Sequence, residues 1–200
     1  MRAILVCGIG ASGTSAVAGA LHHMGVPMGH DAHLGRHPAG FSLYEDAEFY
    51  GAFQRGDHSE IKRLVLRHAR EPVFGFKNTL AFKCLSWLPD FLNAIQWDTR
   101  IVACHRAAMA SAKGRQEGRC PPGVFYSRAE AQRWAMQALN EYTDALLSLP
   151  FETPVHHVQY EWLIDDPEGQ VGELAAFAFQ GLDAEPDLDA GIAHITSRGP

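Results

Sequence analysis

The sequence predicts a three-layer α/β fold in which a central parallel sheet is flanked by helices. Three observations support this prediction. Continuous apolar runs indicate strands buried on both faces, helical patterns lie between nearly all of these runs, and a glycine-rich turn follows the first run. A chain of 200 residues is long enough for one such domain and too short for two large ones. We therefore expect residues 1–200 to form a single domain.

Each expected element follows from a local pattern. The expected strands are residues 2–7, 73–77, 99–105 and 153–160. The expected helices are residues 13–24, 43–54, 57–70, 80–95, a segment from about 107, 128–149 and 167–179. Asp57 is a suitable N-cap, Ser127 and Glu130 form a capping box, and Pro167 suits a first helical position. Residues 26–43 and 114–126, rich in glycine and proline, are expected to be mobile loops.

The composition excludes several classes of protein. A formal net charge of −6 argues against a general nucleic-acid binder, and no stretch approaches the ~20 apolar residues of a membrane span. The cysteines form no C-x-x-C pair, and "MRAILVCGIG" fits a first strand better than a secretory signal, so we expect a cytoplasmic protein. Several of the histidines lie close together between residues 22 and 37. Their spacings match no zinc-ligand pattern, so no metal site is expected.

The stretch "CGIGASGTSAVAGAL" has the spacing of a phosphate-binding loop, with Gly8, four residues, Gly13, and then Thr14 and Ser15. The nucleotide-triphosphatase loop has lysine where Thr14 stands. Backbone amides at the start of a helix bind an anion without lysine, and serine and threonine hydroxyls add further donors. The candidate anion-binding residues are Gly10, Ala11, Ser12, Gly13, Thr14 and Ser15. The alternative is a tight turn that only packs a helix on a strand.

Six segments resemble sulfotransferases that use 3′-phosphoadenosine 5′-phosphosulfate (PAPS). "GASGTSAVAGALHHMGVPMG" resembles the family's 5′-phosphosulfate loop, and "HPAGFSLYEDAEF" is similar to its N-P-K-G-y-w-E-D segment. "FGFKNTLAFKCLSWLPDF" is similar to w-g-w-K-D-P-R-t, and "RIVACHRAAMASAKGR" to the strand and arginine that bind the 3′-phosphate. "SRAEAQRWAMQALNEY" resembles a long helix with Trp and Tyr, and "VHHVQYEWLIDDPEGQVGELAAF" resembles the closing Y-E-d-L-x-x-D-P segment. The order of the segments agrees over about residues 3–180.

The resemblance implies a P-loop-type fold and transfer of a sulfuryl group from PAPS, leaving PAP (adenosine 3′,5′-bisphosphate). The acceptor would be a hydroxyl or amine of a small molecule or glycan, and no metal would be needed. Residues 10–15 would bind the 5′-phosphate, and Arg106 the 3′-phosphate with Ser111 nearby. Lys77 would stabilise charge on the transferring group. The implied general base is Glu45, with Asp46, His23 and His37 as rivals.

The sequence departs from the family pattern at three places. Ala11 stands where the family has lysine or arginine, and Gly114 where it has serine. The K-D-P-R segment is Lys77-Asn78-Thr79-Leu80, which loses an aspartate and an arginine. The lost cations have possible replacements in Arg36, Lys113 and Arg115.

Two other functions stay open on the sequence alone. A P-loop kinase of small molecules is favoured by the Gly8 to Gly13 spacing, but it is opposed by the missing lysine and by the absence of an acid after the strand at residues 99–105. A non-catalytic relative that binds a nucleotide or anion is favoured by Ala11 and Gly114.

Overall fold

A computed structural model describes residues 1–28, 44–117 and 124–197 of the chain. Its centre is a parallel four-stranded sheet with the strand order β2-β1-β3-β4. The strands are β1 (Arg2–Gly8), β2 (Val73–Lys77), β3 (Asp98–His105) and β4 (Val155–Gln159). The predicted strands are confirmed to within a few residues. β1 lies between β2 and β3 and is buried along its whole length, which explains its unbroken apolar sequence.

Helices cover both faces of the sheet. The helices are α1 (Thr14–His23), α2 (Ala47–Arg55), α3 (His58–Leu66), α4 (Leu88–Ala94), α5 (Ala108–Gln116), α6 (Arg128–Leu147), α7 (Tyr160–Asp165), α8 (Pro167–Phe179) and α9 (Leu188–Thr196). Successive strand residues point to opposite faces, so the sheet contributes to two apolar cores. Ile4, Val6 and Val102 pack with α1, α8 and α9. Leu5 and Phe76 pack with α2, α3 and α6 on the other face, which confirms the three-layer α/β arrangement.

The predicted helix starts have the expected local causes. The Asp57 carboxylate accepts a hydrogen bond from the Glu60 amide at 3.0 Å. Ser127 and Glu130 form both halves of the predicted capping box at the start of α6. Pro167 is the first residue of α8, as expected, because its missing N–H costs nothing at that position.

Two expectations about the elements are wrong, and two of the described helices were not expected. The continuous helix expected at 80–95 is a 3₁₀ segment, Ala81–Cys84, followed by the separate helix α4. Pro89 explains the break, because within a continuous helix its ring would clash with the preceding turn. The loop expected from residue 114 begins later, because Gly114 lies within α5. The unexpected helices are α7 and α9, of which α9 is capped by Asp187.

The start of the expected loop at 26–43 packs against β2. The Gly75 amide donates to the Pro27 carbonyl at 2.9 Å, and Val26 and Met28 are buried. Residues 29–43 and 118–123, and with them His37 and Arg36, lie outside the described residues. Among the helices that the structure describes, none has the length and apolar character needed to cross a membrane.

Candidate functional site

The candidate site lies where the carboxyl ends of the four parallel strands meet, the usual ligand-binding edge of such a sheet. The glycine-rich turn, residues 8–13, leaves β1 at this edge. Lys77 ends β2, Arg106 follows β3, and Tyr160 follows β4. The fold therefore brings the predicted loop, Lys77 and Arg106 to one edge of the sheet.

The turn depends on two glycines. Gly13 has φ 89°, in the left-handed region, and a Cβ placed there would lie 2.2 Å from Cδ2 of Tyr160. A Cβ on Gly8 would lie 2.4 Å from Oγ of Ser12 and 2.8 Å from the Cys104 carbonyl oxygen. The Tyr160 ring leaves no room for a side chain at Gly13, and the Ser12 side chain and the Cys104 carbonyl leave none at Gly8.

The first turn of α1 lacks a side-chain cap. Gly13 occupies the N-cap position, and no side chain of the described residues accepts a hydrogen bond from the first amides of α1. In α2, by contrast, the Asp46 carboxylate accepts from the amides of Glu48 and Phe49. The uncapped amides and the positive end of the helix dipole are what an anion requires.

The hydroxyls of the turn differ in their surroundings. Ser12 is almost fully buried, and its Oγ points back towards Gly8 without a hydrogen-bond partner among the described residues. Thr14 is also buried, whereas Ser15 is half-buried. Ser12 thus lies beneath the turn, and Ser15 is the hydroxyl of the turn that lies nearer to solvent.

Arg106 lies against the turn. Its Nη1 donates to the Ala11 carbonyl oxygen at 3.2 Å, and its guanidinium carbon lies 4.5 Å from the centre of the Tyr160 ring. Its Nε is 3.6 Å from Oε1 of Glu161 and has no hydrogen-bond partner in the described part of the chain. The arginine is therefore fixed at the rim of the turn with donor capacity left over.

Ser111 and Gly114 share one face of α5, because residues three apart on a helix are neighbours. A Cβ on Gly114 would lie 3.0 Å from the Cβ of Ala11, so this face is turned towards the loop. Ser111 is fully buried, and its Oγ has no hydrogen-bond partner within the described ranges. A buried hydroxyl without a partner is costly, so a ligand that accepts from it would be stabilised.

Lys77 and Glu45 form a buried ion pair. Nζ of Lys77 lies 2.8 Å from Oε1 of Glu45, and the two side chains are only 3% and 9% exposed. A buried charge requires such a partner, because desolvation without one is very costly. Asp46, the fallback base, caps α2 instead. Asn78, which stands where the family pattern has aspartate, accepts a hydrogen bond from the Leu80 amide at 2.7 Å.

The remaining candidates lie elsewhere. Nε2 of His23 is 3.2 Å from the hydroxyl oxygen of Tyr44, at the end of α1 opposite to the turn. Nζ of Lys113 is 3.7 Å from Oε1 of Glu117. The Arg115 guanidinium carbon lies 3.8 Å from the centre of the Trp134 ring and 4.4 Å from that of Tyr126, so this arginine faces α6.

Tyr160 and Glu161 were not predicted as site residues from the sequence. Tyr160 is the last residue of the expected strand at 153–160, and that position at the ligand-binding edge was a usable signal. The pair formed by His105 and His157, whose ring nitrogens Nε2 and Nδ1 lie 2.8 Å apart, was not predicted either. Burial, and then the neighbouring His157, lower the pKa of His105.

The interior beneath the turn is neutral. Burial raises the pKa of the Cys7 thiol to about 12. The Tyr142 hydroxyl donates to the Cys7 carbonyl oxygen at 3.4 Å.

No group of three or more potential metal-ligating side chains occurs within residues 1–28, 44–117 and 124–197.

No protein-family model and no curated protein matches the chain. A crystal structure of mouse sulfotransferase SULT7A1 complexed with PAP matches with a TM-score of 0.55 and 15% identity, over 96% of this chain and 63% of that one. A sulfotransferase from Alicyclobacillus acidocaldarius matches with a TM-score of 0.48 and 14% identity, over 99% of this chain and 95% of that one. The chain thus spans less than two thirds of the length of the mouse protein. It has the α/β fold of a sulfotransferase, as the sequence predicted.

Proposed function

We propose that this protein is a sulfotransferase that moves a sulfuryl group from PAPS to a hydroxyl or amine of a small-molecule or glycan acceptor. The observation that carries the proposal is the contact between Arg106 and the uncapped turn before α1, at the ligand-binding edge of a sulfotransferase fold. The free thiols of Cys7, Cys84 and Cys104 suit the reducing cytoplasm, where we place the protein.

Two anionic groups of the donor need separate binding sites. The turn at residues 10–15 binds the 5′-phosphate through backbone amides at the positive end of α1, although the Ser12 amide already donates to the Ile9 carbonyl oxygen at 3.1 Å. Arg106 binds the 3′-phosphate by charge-assisted hydrogen bonds, and Ser111 adds a hydroxyl. The unused donors of both side chains support this assignment, because a phosphate oxygen would satisfy them.

The transfer is an in-line displacement. The acceptor oxygen or nitrogen forms a bond to sulfur, while the bond between sulfur and the 5′-phosphate oxygen breaks and PAP leaves. Glu45 takes the acceptor's proton, and Lys77 balances the negative charge on the transferring group. Their buried contact at 2.8 Å supports both roles, because it holds the carboxylate next to the ammonium at the end of β2, on the ligand-binding edge of the sheet.

Within the described residues, only the Gly8 to Gly13 spacing favours the kinase alternative. Thr14 occupies the position of the phosphate-loop lysine, and His105 and Arg106 stand where a kinase of this type has a strand-tip acid. A protein that binds PAP but does not transfer a sulfuryl group would give its own combination of results: a shift with PAP and no labelled product.

Thermal-shift titration of the full chain with PAP, PAPS, ATP and Mg-ATP tests the donor site, because only ligands of the folded state stabilise it. We expect PAP and PAPS to raise the melting temperature and Mg-ATP to have little effect. Arg63→Ala, which removes an exposed arginine paired with Glu60, is the control and should retain the shift. A preference for Mg-ATP, or no shift with PAP, contradicts the proposal.

Transfer itself is tested with radiolabelled PAPS and a panel of phenols, alcohols, amines and oligosaccharides. Labelled product with any of them supports an enzyme. Binding of PAP with no product from any acceptor class supports the binding-only alternative.

A further inference from the structure

The short segment before α2 attaches to three different elements through three successive side chains. Asp46 caps α2, and Glu45 pairs with Lys77 at the end of β2. Tyr44, the first of the three, contacts the last turn of α1 through His23. The position of the Glu45 carboxylate is therefore set between two flanking attachments.

Tyr44 is held in a cluster of three histidines, which we call the histidine cluster: His22, His23 and His194. The Tyr44 hydroxyl oxygen lies 3.2 Å from Nε2 of His23. The centre of its ring lies 5.4 Å from that of His22 and 5.7 Å from that of His194. Tyr44 is only 8% exposed, so nearly the whole side chain is packed.

The histidine cluster belongs to the interface between α1 and α9. The rings of His23 and His194 stack with their centres 4.7 Å apart. His194 lies directly over Gly19 of α1, where an added Cβ would come within 2.0 Å of its Nε2. The Asp187 amide, at the start of α9, donates to the Met24 carbonyl oxygen at 3.3 Å. The surroundings of Tyr44 are therefore a packed interface.

The backbone of Tyr44 needs this anchor. Its φ is 52°, in the left-handed region that a bulky side chain rarely adopts. Such a conformation persists only when the surrounding contacts enforce it. If the ring left the histidine cluster, the backbone would relax to a right-handed or extended conformation. Glu45, the next residue, would then turn away from Lys77.

We propose that Tyr44 is a positioning residue for the Glu45–Lys77 pair, acting through the turn that it anchors to the histidine cluster. Its effect on transfer rests on the proposed function, because that function assigns chemistry to the pair. Its effect on the ion pair does not, and the two are measured separately.

The first experiment measures the ion pair through stability. Urea unfolding of the wild type, Glu45→Gln, Lys77→Gln and the double variant gives the coupling energy of the pair. The same cycle is repeated with Tyr44→Ala, because alanine loses the ring that anchors the turn but keeps the Cβ that makes the left-handed conformation costly. We expect the coupling to fall to half or less. A coupling that is unchanged in Tyr44→Ala overturns the proposal, whether or not the protein transfers sulfuryl groups.

The second experiment uses a variant that keeps the ring and so preserves the fold. Tyr44→Phe should lower kcat about fivefold with an unchanged KM for PAPS, the effect of one net hydrogen bond. The loss should disappear in a Glu45→Gln background, because Tyr44 acts through that residue. The same loss in both backgrounds, or no loss in either, overturns the proposal.

The matched control is Tyr50→Phe, which removes a hydroxyl that bonds to Gln54 at 2.7 Å on the exposed side of α2. We expect its kcat to equal that of the wild type.

If PAP does not bind and no transfer occurs, the proposed function fails, and the coupling measurement still decides the role of Tyr44.

Discussion

Gly114 of α5 lies directly against Ala11 of the turn, so that a Cβ on Gly114 would be 3.0 Å from the Cβ of Ala11. These are two positions at which the sequence departs from the sulfotransferase pattern. Because they touch, the residue at one limits the residue at the other. The two departures, alanine at 11 and glycine at 114, are therefore linked through one packing contact. This contact lies next to the Ala11 carbonyl, which accepts a hydrogen bond from Arg106.

We expect Ala11→Gly to stabilise the protein. Ala11 has φ 65°, a left-handed conformation that is costly for any residue with a Cβ. Relief of that cost exceeds the extra backbone entropy of glycine, for a net gain of about 0.5–1 kcal/mol. Urea unfolding measures the gain. Ala110→Gly within α5 is the control and should lower stability; a loss of stability in Ala11→Gly would contradict the expectation.

Gly114→Ser should couple to Ala11→Gly. In the wild type the new side chain meets the Ala11 methyl at a distance tighter than normal packing, whereas the Ala11→Gly background removes that methyl. We expect the double variant to be more stable than the sum of the single effects by at least about 0.5 kcal/mol. If the stability change of the double variant equals the sum of the two single changes, α5 and the turn adjust independently of each other.

Much of the fold could be predicted from the sequence, because buried parallel strands are apolar on both faces and the helix caps act locally. Expectations failed where one residue outweighed the general pattern. Pro89 divided the expected helix at 80–95, although the apolar spacing on both sides of it was helical. Gly114, a residue typical of loops, lies within α5, where an added Cβ would come within 3.0 Å of the Cβ of Ala11.

The candidate site was less predictable than the fold. The sequence placed Lys77 and Arg106 at the correct edge, since both follow predicted strands. It did not predict that Glu45 pairs with Lys77, because the two are far apart in the chain and only the packed structure brings them together. The same holds for Glu161, which reaches Arg106 from the element after β4.

Arg106→Ala should weaken PAP binding. The guanidinium would make charge-assisted hydrogen bonds to the 3′-phosphate, and such bonds contribute about 1.5–3 kcal/mol, or roughly a tenfold to hundredfold change in Kd. Calorimetric titration with PAP measures the change, and a melting temperature close to that of the wild type shows that the fold is retained. An unchanged Kd would mean that the 3′-phosphate binds elsewhere.

Glu161→Gln should strengthen PAP binding. Oε1 of Glu161 lies 3.6 Å from the Arg106 Nε, and its charge competes with an incoming phosphate. The pair is partly exposed, so the expected gain is small, about twofold to fivefold in Kd at low salt. It should shrink in 0.5–1 M salt, roughly as screening removes the competition. Glu168→Gln, which neutralises an exposed acid in the first turn of α8, should leave Kd unchanged; weaker binding by Glu161→Gln would show that the carboxylate orients Arg106.

Stability should fall as the pH drops below about 6.5. Burial is the main cause that lowers the pKa values of His68, His105 and His156 below the usual 6.5. A histidine with a lowered pKa is neutral in the folded state, whereas the unfolded chain takes up a proton at higher pH. Its contribution to stability is therefore complete above pH 6.5 and is lost as the pH falls through the folded pKa.

His156→Gln isolates one of these contributions. The His156 ring stacks on Phe177 with the ring centres 5.3 Å apart, and its Nε2 is buried without a hydrogen-bond partner among the described residues. Protonation would place a charge at that position, for which nearby Glu173 compensates only in part. Urea unfolding at pH 7.5 and 5.5 should therefore show a smaller loss of stability in His156→Gln than in the wild type. Equal losses would mean that His156 keeps its ordinary proton affinity in the folded protein, and the acid sensitivity would then belong to His68 and His105.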